Sequence, residues 1–226
     1  MRHVHFLVEG QTEEIVVRDI VEPYFVGLGN AYLTWSIFTT KRPAVGPNYK
    51  GGVANWQRLH RELKLLLRDT STSILTTLFD YYAFPPDAPG MSDRPHGSPY
   101  DRVQHVETAM AEVVDDPRFL PHLTLHEIET WVLADCARLG EVMGEPTAAA
   151  ELLHIVSKEP SPELVDDGPM TAPSKRIMNS YPSYQKTIHG PLVIADTGLG
   201  SIRRCCPHAD VWLTEIEARL AKPDDD

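Results

Sequence analysis

Acidic side chains follow three predicted strands of this 226-residue chain, at the point where each strand ends. Glu9 follows a first apolar run, Asp80 follows a third, and Glu127 with Glu129 follows a fourth. Glu13 lies one helical turn beyond Glu9, at the same strand-to-helix connection. In open α/β sheets the ligand site forms at the carboxyl ends of the strands. We therefore expect these five acids to converge.

Converging carboxylates repel one another, and a bound cation stabilises them. Oxygen ligands without cysteine or paired histidine suit a hard ion, so the acids predict a Mg²⁺ or Mn²⁺ site rather than a zinc site. The alternative interpretation is that each acid only caps a helix or is solvated at the end of a strand. That alternative holds for any one acid taken alone, whereas acids at successive strand ends favour the metal.

Two other groups of residues could also take part in chemistry. His126 could orient a carboxylate or shuttle protons, although a single histidine at a strand end is also typical of a hydrogen-bonded structural residue. The three cysteines are Cys136, Cys205 and Cys206, an odd number that predicts a reducing cytoplasm rather than a disulfide framework. The stretch Cys205-Cys206-Pro207-His208 lacks the paired spacing of structural zinc sites, and we expect it to pack at a helix end.

The elements that position these residues alternate between strands and helices. Predicted strands span residues 3–8, 31–40, 73–79 and 120–125. The first predicted helix begins after Gly10, with Thr12 as its N-cap. Further helices are predicted over residues 56–68, over 101–114 with Asp101 as the cap, and from 126 to 139. A long loop rich in Pro, Gly and Asp is predicted over 85–99. The alternation predicts an α/β fold with a mostly parallel sheet flanked by helices.

Beyond Gly140 the strand signal weakens. Short helical patches at 147–157, 174–180, 201–205 and 210–220 are separated by turns that contain Pro or Gly. We expect a single domain in which a helical C-terminal part, residues 140–226, packs on a core formed by residues 1–139. Residues 192–195 fit either a last strand or a buried loop.

Composition and charge limit the class of protein. A hydrophobic content of 42% and a charged content of 23% are those of a globular chain. No apolar run is long enough for a membrane helix, and the N-terminus lacks the pattern of a signal peptide, so we expect a cytoplasmic protein without membrane contact. The net charge of -11 argues against coating nucleic acid by bulk attraction.

One segment nevertheless carries local positive charge. Its basic residues are Lys41, Arg42, Lys50, Arg58, Arg61, Lys64 and Arg68, against the single acid Glu62. Such a face could hold a nucleic-acid backbone on an otherwise acidic protein. A solvated helix face is the alternative interpretation of the same run.

Several motifs carry a resemblance to known families. The stretch Val8-Glu9-Gly10-Gln11-Thr12-Glu13 resembles the opening motif of Toprim domains, especially those of overcoming-lysogenization-defect nucleases and RloB-like proteins. The rest is similar to the family called domain of unknown function 4276, on the motifs Phe79-Asp80-Tyr81-Tyr82, His126-Glu127-Ile128-Glu129, Thr171-Ala172-Pro173-Ser174-Lys175-Arg176 and Ile202-Arg203-Arg204-Cys205-Cys206-Pro207. The resemblance covers nearly the whole chain.

The Toprim resemblance implies a Toprim-like fold and metal-dependent phosphodiester chemistry. By that resemblance Glu9 is a metal ligand or general acid/base, Glu13 is the second acid of the nuclease branch, and Asp80 is the first aspartate of an Asp-x-Asp motif. Tyr82 stands where the second aspartate is expected. This departure removes one ligand unless an acid after the fourth strand replaces it.

The resemblance also implies a role for a late lysine. Lys175 resembles the lysine that faces the scissile phosphate in the nuclease branch, and Arg176 beside it would contact the nucleic acid. The alternative is that Lys175 is a surface lysine after a Pro-Ser turn.

The sequence as a whole predicts a Mg²⁺- or Mn²⁺-dependent nuclease or phosphodiesterase. The resemblance further implies an effector in phage defence that works beside a partner ATPase. A non-catalytic subunit that binds an ATPase or nucleic acid, which Tyr82 favours, and a small-molecule phosphohydrolase stay open.

Overall fold

The computed structural model describes residues 1–38, 53, 55–82, 84–165, 168 and 171–222. Its strands are β1 (Arg2–Val8), β2 (Ala31–Ile37), β3 (Thr72–Asp80), β4 (Phe119–Leu120) and β5 (Leu123–Thr124). Its helices are α1 (Gln11–Val16), α2 (Glu22–Gly27), α3 (Trp56–Leu66), α4 (Pro99–Val114), α5 (Glu129–Leu133), α6 (Cys136–Met143), α7 (Pro146–Val156), α8 (Pro173–Ser180), α9 (Lys186–Thr197), α10 (Leu199–Cys205) and α11 (Pro207–Ala221). A π-helical turn, Val17–Val21, joins α1 to α2.

The strands form one parallel sheet in the order β2-β1-β3-β4, and β5 pairs with β3 beyond the end of β4. Val8 at the end of β1 is in register with Ile37 of β2 and Leu78 of β3. Asp80 pairs with Thr124 of β5. Because all the strands are parallel, their carboxyl ends meet at one edge of the sheet, as an α/β fold requires.

Helices cover both faces of the sheet, because alternate side chains of each strand point to opposite faces. Leu7 and Leu75 join the buried cluster that contains α3 and α4. Phe6 and Leu78 join the larger cluster on the other face, which contains α1, α2 and the helices from α5 onward. The predicted α/β class with a helical C-terminal part is thereby confirmed.

Three elements differ from the sequence-based prediction. The fourth strand is divided into β4 and β5 around Pro121, which has no N–H for a ladder bond. The helix predicted to run to residue 139 is divided, because the side chain of Asp135 accepts a hydrogen bond from the Arg138 N–H and starts α6. Residues 192–195 lie inside α9, and a short buried apolar run of this kind does not distinguish a strand from a buried helix.

Two helix caps also differ. Gly10, not Thr12, is the N-cap residue of α1, and as a glycine it has no side chain that could accept a capping bond. At α4 the cap is Ser98, with Pro99 in the first turn, while Asp101 completes a capping box by accepting from the Ser98 N–H at 2.9 Å. Both predictions were a few residues late: a cap was sought among side chains at α1, where a glycine is the N-cap, and Ser98, which precedes Asp101, was passed over at α4. Within the described part of the chain, no helix has the length and apolar character needed to cross a membrane.

Candidate functional site

The site begins where β1 and β3 end side by side. Glu9 extends β1 by one residue, and its N–H donates to the Leu78 carbonyl at 3.2 Å. Its carboxylate then accepts the N–H of Asp80 through Oε2 at 2.9 Å. Two neighbouring strands therefore place their terminal acids in direct contact, as the strand pattern predicted.

A second set of bonds attaches the segment after β5 to the end of β3. The N–H groups of Tyr81 and Tyr82 donate to the carbonyls of Thr124 and His126 at 2.9 and 2.8 Å. The carboxylate of Asp80 accepts the N–H of Ile128 at 2.9 Å. This pairing carries Glu127 and Glu129, the neighbours of Ile128, to the same edge of the sheet.

His126 turns the chain at this point. Its backbone is left-handed, with φ of 67°, a conformation that non-glycine residues adopt rarely. Its side chain is buried. Backbone strain of this kind costs about 1–3 kcal/mol and is concentrated at functional sites. We interpret His126 as the residue that aims the following acids, and its predicted proton-transfer role stays a prediction.

Glu127 is held by the start of α8. Its two carboxylate oxygens accept the N–H of Ser174 at 2.9 Å and the Ser174 hydroxyl at 3.0 Å. A carboxylate at a helix N-terminus is also favoured by the helix dipole. Both oxygens are thus engaged by protein donors, which makes Glu127 a positioned acid more than a free ligand.

Lys186, the first residue of α9, supplies positive charge to the acids. Its Nζ lies 3.0 Å from Glu129 and 3.7 Å from Glu127. Glu129 is fully buried, whereas 40% of the Lys186 side chain is exposed. Burial alone would lower the pKa of Lys186, but the carboxylates of Glu129, Glu127 and Asp80 together raise it. The ammonium therefore stays charged.

Glu13 completes the group from α1. Its side chain is buried, and a Cβ atom at Gly10 would lie 3.2 Å from its Oε2. A glycine at position 10 therefore leaves room for this carboxylate beside the end of β1. Burial, and next the negative charge of Glu9, raise the pKa of Glu13 to about 7.

The pKa values of three other acids are raised in the same way. Burial is the main cause that raises the pKa of Glu9, Asp80 and Glu129, and neighbouring carboxylates add to it. One lysine does not balance this concentration of negative charge. Such a site is suited to a further cation, and its oxygen donors are those that Mg²⁺ and Mn²⁺ prefer.

The geometry restricts how a metal would be held. Within the described ranges, no three of these acids offer oxygens that all lie within 4.8 Å of one another. Mg²⁺ commonly keeps several waters and takes only one or two carboxylates together with substrate phosphates. Glu9, Asp80 and Glu13 fit such a hydrated ion, while Glu127 and Glu129 are committed to Ser174 and Lys186.

Two of the predicted basic residues lie on α8. Lys175 is exposed on α8, and the Arg176 Nε donates to the Thr171 carbonyl at 2.7 Å. The site contains Lys186 instead, which the sequence analysis did not single out. No local pattern marks Lys186, because its partner Glu129 is 57 residues away in the sequence.

The predicted nucleic-acid face is divided. Lys41, Arg42 and Lys50 lie outside the described residues. Arg58 lies over the Phe38 ring at 5.4 Å, just beyond the end of β2, and Arg61 is exposed on the next turn of α3. Lys64 donates to the Val114 carbonyl at the end of α4, away from the carboxyl edge of the sheet.

Comparison with known proteins identifies a family and no closer relative. A family model described as "Domain of unknown function (DUF4276)" matches residues 8–217. No curated protein and no solved structure matches the chain.

Proposed function

The chain belongs to the family described as "Domain of unknown function (DUF4276)", and since that description names no reaction, we propose its function from the site. We propose that the protein is a Toprim-like, Mg²⁺- or Mn²⁺-dependent phosphodiesterase that cleaves nucleic acid. The observation that carries the proposal is the meeting of Glu9 and Asp80 at adjoining strand ends, with Glu13 beside them and Lys186 at the margin. We place its work in the cytoplasm.

The acids and the lysine would divide the work. Glu9, Asp80 and Glu13 would hold the ion, which when bound would neutralise and polarise the phosphate. The Asp80 N–H keeps the Glu9 carboxylate oriented, and the Ile128 N–H does the same for Asp80. One carboxylate of this group, free of its proton, would accept the proton of the attacking water.

Lys186 is the group suited to the developing negative charge on phosphorus oxygens. Its side chain is 40% exposed, so the ammonium can turn from Glu129 toward a substrate at the mouth of the site. Removing one preorganised donor to a transition-state oxyanion typically costs about 10²–10³ in kcat. Arg58 and Arg61 would guide the nucleic acid from the β2 side, and Lys175 with Arg176 from the α8 side.

The test is cleavage by the purified full chain with Mn²⁺ or Mg²⁺. Single-stranded DNA, duplex DNA, and RNA including tRNA serve as substrates, and a simple aromatic phosphodiester reports a small-molecule phosphohydrolase. We expect nucleic-acid cleavage that is lost in Glu9→Gln and kept in Glu14→Gln, a matched change on the neighbouring helix. The proposal would be contradicted if the wild-type chain cleaved none of these substrates and if Glu9→Gln bound Mn²⁺ with the same affinity as the wild type.

A second candidate is a non-catalytic Toprim-like subunit that binds a partner ATPase or nucleic acid in phage defence. Tyr82 favours it, because the residue two positions after Asp80 offers a phenol where a second carboxylate would ligate the ion. Calorimetry separates the two functions. A binding subunit takes up Mg²⁺ weakly and keeps its partner after Glu9→Gln and Asp80→Asn, whereas the enzyme loses Mn²⁺ binding and cleavage together.

A further inference from the structure

A second group of ligating side chains lies away from the acidic site. Glu107 of α4, His122 between β4 and β5, and His208 of α11 offer one ligand atom each, all within 4.8 Å of one another. None of these residues belongs to the group around Glu9. We propose that Glu107, His122 and His208 bind a transition-metal ion of the Zn²⁺ class.

The distances between donor atoms suit one ion. The His208 Nε2 lies 3.0 Å from Glu107 Oε2, and the His122 Nδ1 lies 3.6 Å from Glu107 Oε1. Ligands about 2.0–2.1 Å from a tetrahedral Zn²⁺ are separated by about 3.4 Å. Two imidazoles and one carboxylate are a common protein ligand set for zinc, with a fourth position left for water or another ligand.

The burial of His122 supports the proposal independently of these distances. Only 2% of its side chain is exposed, and within the residues described its Nε2 has no hydrogen-bond partner. The contact with Glu107 at 3.6 Å is longer than a hydrogen bond. The Nδ1 of this buried ring approaches Glu107, and a neutral imidazole can ligate a metal through either of its nitrogens.

Neighbouring residues hold the Glu107 carboxylate, the His122 ring and the backbone at His208. Glu107 Oε1 accepts the Leu123 N–H at 2.7 Å, the kind of outer partner that orients a ligating carboxylate. The indole of Trp212 stacks on His122 with ring centroids 4.1 Å apart and planes at 6°. Glu163 accepts the N–H groups of His208 and Ala209, both at 3.0 Å, and so anchors the start of α11.

The position indicates what the ion would do. Glu107 lies on α4, which covers one face of the sheet, and His208 lies on α11, which covers the other. His122 lies between them where the sheet ends at β4 and β5. A metal there would join the two helical layers across the open edge of the sheet, a structural role that does not depend on the proposed nuclease activity.

The experiment uses the full chain, freed of metal by a chelator and then kept in excess Mg²⁺ to fill the acidic site. Zn²⁺ is titrated by calorimetry, and Co²⁺ is followed by its visible absorption, which reports tetrahedral coordination. We expect one ion per chain and a rise in melting temperature with Zn²⁺. A wild-type chain that binds neither ion under these conditions would overturn the proposal, and this result needs no variant to fold.

Variants then assign the ligands. His208→Gln and Glu107→Gln should each weaken Zn²⁺ binding by more than the roughly 10–100-fold that loss of an outer partner costs. Cys205→Ser and the exposed His154→Gln should leave it unchanged, and so should Glu9→Gln, which separates this site from the proposed active site. Binding that survives both His208→Gln and Glu107→Gln, or that is lost in Cys205→Ser, would refute the assignment.

Discussion

The backbone N–H of Asp80 donates to the Glu9 carboxylate at 2.9 Å, so the acid that follows β1 is held by the last residue of β3. The two positions are 71 residues apart in sequence, and only a parallel pairing of β1 with β3 brings them together. A charged acceptor strengthens such a bond, which is worth about 1.5–3 kcal/mol. The bond orients Glu9, and the nearby Glu9 charge adds to the burial that raises the pKa of Asp80.

Glu9→Gln should keep the shape of the site and remove its charge. We expect Mn²⁺ affinity and nucleic-acid cleavage to fall together, because a neutral amide is a poor ligand for a hard ion. The fold should be kept, since removing one of several repelling carboxylates relieves repulsion. Calorimetry with Mn²⁺ and thermal unfolding measure the two effects. Glu14→Gln is the control, and equal loss of Mn²⁺ binding in both variants would contradict the assignment.

The metal-free protein should lose stability as the pH rises through the range in which Glu13 titrates. The folded-state pKa of Glu13 is raised from 4.5 to about 7, so between these values the folded chain binds more protons than the unfolded chain. The free energy of unfolding then falls with rising pH, by up to roughly 3 kcal/mol in all. Denaturant unfolding at pH 5 and pH 8, without metal, measures this fall.

Glu13→Gln provides the comparison for that prediction. The variant should show a smaller loss of stability between pH 5 and pH 8, because it has no carboxyl to deprotonate at this position and because the pKa of Asp80 is less raised without the Glu13 charge. Saturating Mn²⁺ should restore stability to the wild type at pH 8. A wild-type stability that falls no more steeply between pH 5 and pH 8 than that of the variant would contradict the raised pKa.

Much of this site follows from the sequence. Glu9, Asp80 and Glu127 could be located because each follows a short apolar run, and parallel strands bring their carboxyl ends together. Lys186 could not, because nothing in its neighbourhood distinguishes it from a surface lysine at the start of a helix. The same holds for Glu107 and His208, which are 101 residues apart and meet only because α4 and α11 reach the same edge of the sheet.

Lys186→Met should destabilise the chain. Breaking a buried ion pair from one side costs about 3–5 kcal/mol, and the partial exposure of Lys186 reduces the expected cost to about 1–3 kcal/mol. Adding Glu129→Gln should recover part of it, because the fully buried acid then needs no cation. Denaturant unfolding of the two single variants and the double variant measures the coupling. Lys175→Met, on exposed α8, is the matched control and should change stability little.

Ser174→Ala should loosen Glu127 without removing its charge. The variant loses the hydroxyl that donates to Glu127 Oε1 at 3.0 Å and keeps the N–H that donates to Oε2. The loss of one bond to a charged acceptor should lower the free energy of unfolding by about 1.5–3 kcal/mol. Ser180→Ala, at the other end of α8, should change the free energy of unfolding little. The cost should shrink in the background of Glu127→Gln, whose neutral amide is a weaker acceptor. Equal costs in both backgrounds would show that the hydroxyl acts through packing and not through Glu127.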